Sequence, residues 1–226
     1  MKKNEEHFNI SVTVDVVLFT IEDNELRVLL INRDNAPFKS TLALPGGFVR
    51  PKETTKDTAK RILRDKAGID GVYMEQLYTF DAPDRDPRGQ IFSVTYFALA
   101  PREDIEINLT AQSQDPRFVS IQKLSKQKLA FDHQEIIKYS FKRLQSKLEY
   151  TNVVYSILPK LFTLNQLQKT HEIIFQQTLD KRNFQKKYLQ LGLITATKEM
   201  FKGNRQRPAK LYEFISRKPT ELKKFI

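Results

Sequence analysis

Gly47-Phe-Val-Arg-Pro-Lys-Glu53, continued by Thr54 to Ala67 and closed by Gly68-Ile69, reads as a glycine loop, an acid and an amphipathic helix in succession. Thr54 and Thr55 offer side-chain oxygens to the unpaired N–H groups of a helix start. Ala59, Leu63 and Ala67 recur at helical spacing, and Gly68 stands where a left-handed C-terminal cap is wanted.

The flanks predict a sheet around this helix. Ser11 to Ile21 is β-branched and apolar and reads as a buried strand; Glu22-Asp-Asn24 is a turn, and Leu26 to Asn32 is its hairpin partner. Leu42-Ala-Leu-Pro-Gly-Gly47 leads into the loop, where Gly46 and Gly47 allow backbone to approach a ligand closely. Val72 to Phe80 and Ile91 to Leu99 form two further strands, and Phe118 to Ile121 a short one. Between the first two, Asp81 to Gly89 packs acids, arginines, prolines and a glycine into one loop, more than a plain turn needs. A helix is expected over Gln134 to Lys147, with Asp132 as its N-cap and His133 in a structural role.

Charge divides the chain. Residues 1–150 hold 23 basic and 22 acidic side chains, whereas residues 151–226 hold 15 and 5. A nearly neutral first part joined to a strongly basic last part predicts two domains, the second built for a polyanion. The junction is expected over the weakly charged residues 151–158, before Pro159. The absence of cysteine removes disulfides, thiol catalysis and thiolate zinc sites and fits a reducing, cytoplasmic compartment. The apolar runs are too short to span a bilayer, so no membrane partner is expected.

The basic part has its own pattern. Thr163 caps a helix carrying Leu164, Leu167, Ile174 and Phe175; Gln176 to Leu179 turns; Asp180 caps a second helix ended by Gly192. Phe184, Tyr188 and Leu191 face inward, leaving Lys181, Arg182, Gln185 and Lys186 outward. Leu193 to Thr197 and Lys210 to Ile215 are strands joined by a basic tip bearing Lys202, Arg205 and Arg207. Helix, turn, basic helix and hairpin is the plan of a winged helix-turn-helix, with the second helix in the major groove and the tip along phosphates. Lys and Arg would supply salt-dependent affinity, and Arg182 and Gln185 could read base edges.

The spacing Gly47-x5-Glu53-x7-Arg61 with Gly68-Ile69 resembles the Nudix box. In that family the positions of Ile62, Asp65 and Lys66 carry carboxylates, which share one helix face and hold the Mg2+ that polarises a pyrophosphate. Here one acid, Asp65, remains, Ile62 cannot ligate a metal, and Lys66 puts an ammonium where a cation would sit. The resemblance therefore implies an α+β chain: an N-terminal Nudix α/β/α sandwich with a mixed sheet (residues 1–150), then a winged helix-turn-helix (residues 151–226). With Ala130-Phe-Asp-His133, Asp180-Lys-Arg-Asn-Phe184 and Arg207-Pro-Ala-Lys-Leu-Tyr212, the whole chain resembles the Nudix-related transcriptional regulators. That resemblance implies a homodimeric repressor of NAD metabolism genes on palindromic operator DNA. It also implies ADP-ribose or a related effector in a non-hydrolytic cleft, with no resident cofactor, metal or catalytic residue. Arg33, Gly46, Gly47, Phe48, Lys66, Arg85, Asp86 and Arg88 are then the candidate ligand contacts. Two rival readings stand beside it: a pentose-sensing regulator of sugar catabolism with the same architecture, and a weak ADP-ribose pyrophosphatase using Glu53 and Asp65.

Overall fold

The computed structural model describes residues 10–107, 114–201 and 208–222. β1 (Ser11–Glu22) and β2 (Glu25–Asn32) pair antiparallel across Asp23 and Asn24, whose φ values of 53° and 59° give the twisted two-residue turn such hairpins favour. β3 (Leu42–Ala43) lies beside β2, and β4 (Gly46–Phe48) against the start of β1. α1 (Thr55–Ala67) follows, capped by Thr54, whose hydroxyl accepts from Asp57 N, and stopped by Gly68 at φ 67°. β5 (Tyr73–Phe80), β6 (Ile91–Leu99) and β7 (Arg117–Ser120) complete a sheet of order β3-β2-β1-β6-β5, with β7 on β2. β1 and β6 run parallel and the other pairs antiparallel, so the sheet is mixed.

Alternation along β1 explains why Val16 to Phe19 is an unbroken apolar run. Val14, Val16 and Leu18 face α1 with Ala59, Ile62, Leu63 and Ala67. Val17 and Phe19 face the opposite layer, where α2 (His133–Tyr150) supplies Ile136, Ile137, Leu144 and Leu148. A strand covered on both faces has no polar side to show, and two helices on two faces make the sandwich.

The second unit is α3 (Leu164–Phe175), α4 (Lys181–Gln190), β8 (Ile194–Phe201) and β9 (Ala209–Phe214). Thr163 and Gln166 form a reciprocal capping box on α3, Gln176 turns left-handed at φ 55°, and Asp180 accepts from Asn183 N to start α4. Phe184 and Tyr188 are buried against His171 of α3, whose ring lies 5.0 and 5.6 Å from theirs. Burial pushes the His171 imidazole down to about 4, so the ring is neutral in the fold.

At the expected junction, residues 151–158, the chain is buried: Val153, Val154, Tyr155, Ile157 and Leu158 are at most 4% exposed and belong to the same apolar cluster as α2, Phe162, Phe184 and Phe214. Their low charge records burial. Asn152 donates to Lys218 O and accepts from Thr220 N, Arg217 donates to Tyr155 O and Leu158 O, and Gln145 of α2 donates to Ile174 O of α3. One expectation needs correction: Asp132 occupies the N-cap position of α2 but makes no side-chain cap bond. Its carboxylate is taken by a residue 47 positions away, Arg85.

Candidate functional site

One cavity of about 200 Å3 opens above the start of β1, between the glycine loop, the end of β2 and the first turn of α2. All eight candidate ligand contacts line it: Arg33, Gly46, Gly47, Phe48, Lys66, Arg85, Asp86 and Arg88. The sheet brings them together from segments far apart in sequence. Asp15, Phe131 and His133 also line it, and sequence reading gave them no place there.

Asp15 organises the floor. It is 5% exposed, accepts from Ser93 Oγ at 2.6 Å, and lies 3.5 Å from the Arg85 guanidinium. Gly46 sits opposite it in the β1–β4 register, and a Cβ there would meet Asp15 Oδ1 at 1.9 Å. Gly46 is thus required by Asp15. Gly47 is less constrained, its missing Cβ facing Ile62 at 3.7 Å. His133 Nδ1 accepts from Leu44 N at 2.9 Å, which puts the proton of the neutral ring on Nε2, 3.7 Å from Asp15. Burial keeps this imidazole below its ordinary value although Asp15 pulls the other way.

The arginines differ in what they have left to offer. Arg85 is buried and gives Asp132 two bonds of 2.8 Å; burial lowers its affinity for a proton, but the Asp132 bonds together with the charges of Asp15, Asp132 and Asp86 outweigh that. Arg88 grips Asp86 at 2.6 and 2.9 Å, and those bonds hold Asp86 below the usual carboxylate range despite its burial. The Arg33 guanidinium donates only to the carbonyls of Pro37 and Asn35 among the hydrogen bonds of the described residues, and it lies 4.6 Å over the Phe131 ring. Phe131 holds φ at 52°, left-handed for a bulky residue, with Arg88 5.4 Å from its ring centre. Burial, and then Arg88, push Arg33 down; burial, and then Arg33, do the same to Lys66. Two partly desolvated cations facing one cavity describe a site short of negative charge.

The box positions offer a divalent cation few ligands. Ile62 is 1% exposed in the core beneath α1, so its position cannot ligate, and Lys66 adds like charge. Glu53 is committed to Arg61, accepting at 2.7 and 2.8 Å; those bonds lead the causes that hold its carboxyl at about 2. Arg61 also reaches Phe48 O, so the Glu53–Arg61 pair ties the glycine loop to the helix. Asp65 lies beside Arg64 at 3.4 Å. Among the described residues no group of three or more acid or histidine side chains is placed to hold a metal.

On the second unit Lys181, Arg182 and Lys186 stand exposed along α4. Gln185 is half-buried and donates to Asn165 Oδ1 of α3 at 3.2 Å, so reading a base edge requires it to let go. Lys202, Arg205 and Arg207 lie outside the described residues.

Comparison with known proteins follows the same division. The NUDIX domain family matches residues 11–139, and the NrtR DNA-binding winged helix domain family matches residues 154–214. The chain is 38% identical over 205 residues, 90% of its length and 81% of the relative's, to the ADPR responsive transcriptional repressor NtrR of Acinetobacter baylyi. The chain belongs to the NrtR family. It superimposes on Shewanella oneidensis NrtR complexed with a 27mer DNA with a TM-score of 0.81 at 35% identity, covering 90% of this chain and 93% of that one. The NUDIX domain of the same NrtR, complexed with ADP ribose, matches with a TM-score of 0.57 at 34% identity, over 63% of this chain and 94% of that one. A more distant relative is the ADP-ribose pyrophosphatase of Methanocaldococcus jannaschii, 33% identical over 141 residues, 61% of this chain and 77% of that one. Among the described residues no helix is long and apolar enough to cross a membrane.

Proposed function

We propose that this chain is a repressor that binds palindromic operator DNA as a homodimer through its winged helix. ADP-ribose or a closely related nucleotide, held intact in the Nudix cleft, lowers its affinity for the operator. Residues 1–150 sense and dimerise; residues 151–226 bind DNA; the regulated genes belong to NAD metabolism. The observation that carries this reading is the cation pair Arg33 and Lys66 in a cleft whose box has lost two of three metal-ligand positions. A diphosphate placed there meets fixed positive charge, and of the three carboxylates that would hold a polarising metal the box keeps only Asp65. The relatives supply the identity of the nucleotide and of the polyanion.

Coupling has a physical carrier in α2. Its first turn, Asp132 and His133, is fastened to Arg85, Leu44 and Asp15 at the cleft. Its last turns are fastened to β5 by Lys147 on Glu75 and to α3 by Gln145. A ligand that repositions Arg85 or Phe131 tilts a rod whose far end carries α3 and α4. Effective release needs the ligand to prefer the tilted arrangement, in which two recognition helices no longer match grooves roughly 34 Å apart.

The test is a calorimetric titration of ADP-ribose, without metal, into the wild type and into Ile62→Glu/Lys66→Glu. Binding weakened by about tenfold, an equilibrium change of about 1.4 kcal/mol, is expected. Unchanged binding refutes the role of Lys66, and binding of arabinose or xylose in place of ADP-ribose moves the protein to a sugar-sensing role. The pyrophosphatase relative, together with the retained Glu53 and Asp65, favours a second reading as a slow hydrolase. AMP release from ADP-ribose with Mg2+, lost in Asp65→Asn, would establish it.

A further inference from the structure

Arg85 and Phe131 form a wall with space on both sides. Behind the nucleotide cleft lies a second cavity of about 540 Å3 sharing only these two residues with the first. Its chemistry is the reverse. Its sides are the rings of Phe38, Tyr78, Phe80 and Phe131, and its rim carries Asp81, Asp84 and Glu135. None of these three acids makes an ion pair among the described residues, while Asp132, the fourth acid of the lining, is already held by Arg85. The rings are set steeply to one another, Phe38 and Phe131 at 65° and 4.9 Å, Tyr78 and Phe80 at 78° and 5.3 Å. Tyr78 stays 50% exposed although the Phe80 and Tyr139 rings press against it.

We infer that this second cavity binds a cationic aromatic ring, an N-alkylpyridinium. The π faces attract positive charge, the unpaired carboxylates reinforce that attraction without needing a proton from the ligand, and the same carboxylates repel any phosphate. A neutral ring gains only the apolar contact. The two cavities together present positive charge on one side of the wall and negative charge on the other. An oxidised pyridine dinucleotide carries both complementary groups, a diphosphate and a pyridinium. That one ligand spans both cavities rests on the reading proposed above; the preference of the second cavity for a cationic ring does not.

The experiment titrates 1-methylnicotinamide, neutral nicotinamide and adenosine into the full chain, followed by ligand-observed NMR, with and without saturating ADP-ribose. The cation is expected to bind about fivefold tighter than nicotinamide, the equivalent of one exposed cation–π contact, and tighter than adenosine. Tyr78→Leu and Glu135→Gln, both at exposed positions, are each expected to weaken the cation about threefold and leave nicotinamide unmoved. Equal affinity for cation and neutral ring, tighter adenosine, no measurable binding, or variants without effect would overturn the inference. Cation binding in a protein that ignores ADP-ribose would uphold it and overturn the nucleotide-sensing reading instead.

Discussion

The cleft and the recognition helix both rely on arginine and lysine, and they treat them in opposite ways. In the cleft Arg85 and Arg88 are closed onto Asp132, Asp15 and Asp86, and Arg33 and Lys66 are partly desolvated. On α4 Lys181, Arg182 and Lys186 are all exposed to solvent. Buried, paired charge fixes geometry and is costly to disturb; exposed charge attracts a polyanion and is cheap to change. The cleft therefore has its shape written in ion pairs, whereas the helix proposed to meet DNA keeps its charges exposed to solvent.

Five substitutions probe that contrast. Arg85→Met strands Asp132 and Asp15 without their cation, and a loss of about 3–5 kcal/mol in chemical denaturation is expected; a loss under 1 kcal/mol would show the pairs to be ornamental. Next comes acid. The unfolded chain protonates His171 near its ordinary value of 6.5, but the fold resists until about 4, so stability is complete above that upper value and falls as pH drops through the window. The drop is on the order of 3 kcal/mol. His133 is displaced in the same direction and adds to it. Denaturation of His171→Met across the window should be flatter; an unaltered slope would contradict a neutral buried ring. Third, Gly46→Ala drives a methyl into Asp15 and should cost about 1–3 kcal/mol, whereas Gly47→Ala, facing Ile62 at ordinary contact distance, should cost less. Smallest of all, Lys186→Ala should leave stability within about 0.5 kcal/mol. Its operator affinity should fall, and the slope of log K against log salt should shrink by about 1 if the ammonium meets a phosphate. An unchanged salt slope would take Lys186 off the DNA.

What sequence could and could not disclose divides along local and distant contacts. Thr54, Gly68, Thr163, Asp180 and Gly192 act within a turn of where they stand, and their helix boundaries were legible to within a residue or so. The NrtR architecture was legible for the same reason, since its phrases are short. Asp15 escaped because its partner Arg85 lies 70 positions on and reaches it only through the sheet. A signal did exist: an aspartate inside Val12-Thr-Val-Asp-Val-Val17, a run otherwise fit for burial, is costly unless a cation or hydroxyl answers it. Asp132 misled in the opposite way, since a local cap signature was outbid by the guanidinium of Arg85. At 151–158 low charge suggested a seam between domains, and its burial was not legible because the residues that cover it are distant in sequence.

That buried segment bears on how such proteins can be recombined. A winged helix spliced at residue 150 behind a different sensor would arrive with Val153, Tyr155 and Leu158 facing water, and the abandoned sensor would show the matching raw face of α2 and β5. Sensor and reader in this chain are inherited as a pair. Moving α2 along with the winged helix does not mend this, because Ile136, Ile137, Leu144 and Leu148 then leave Val17 and Phe19 of the sensor uncovered.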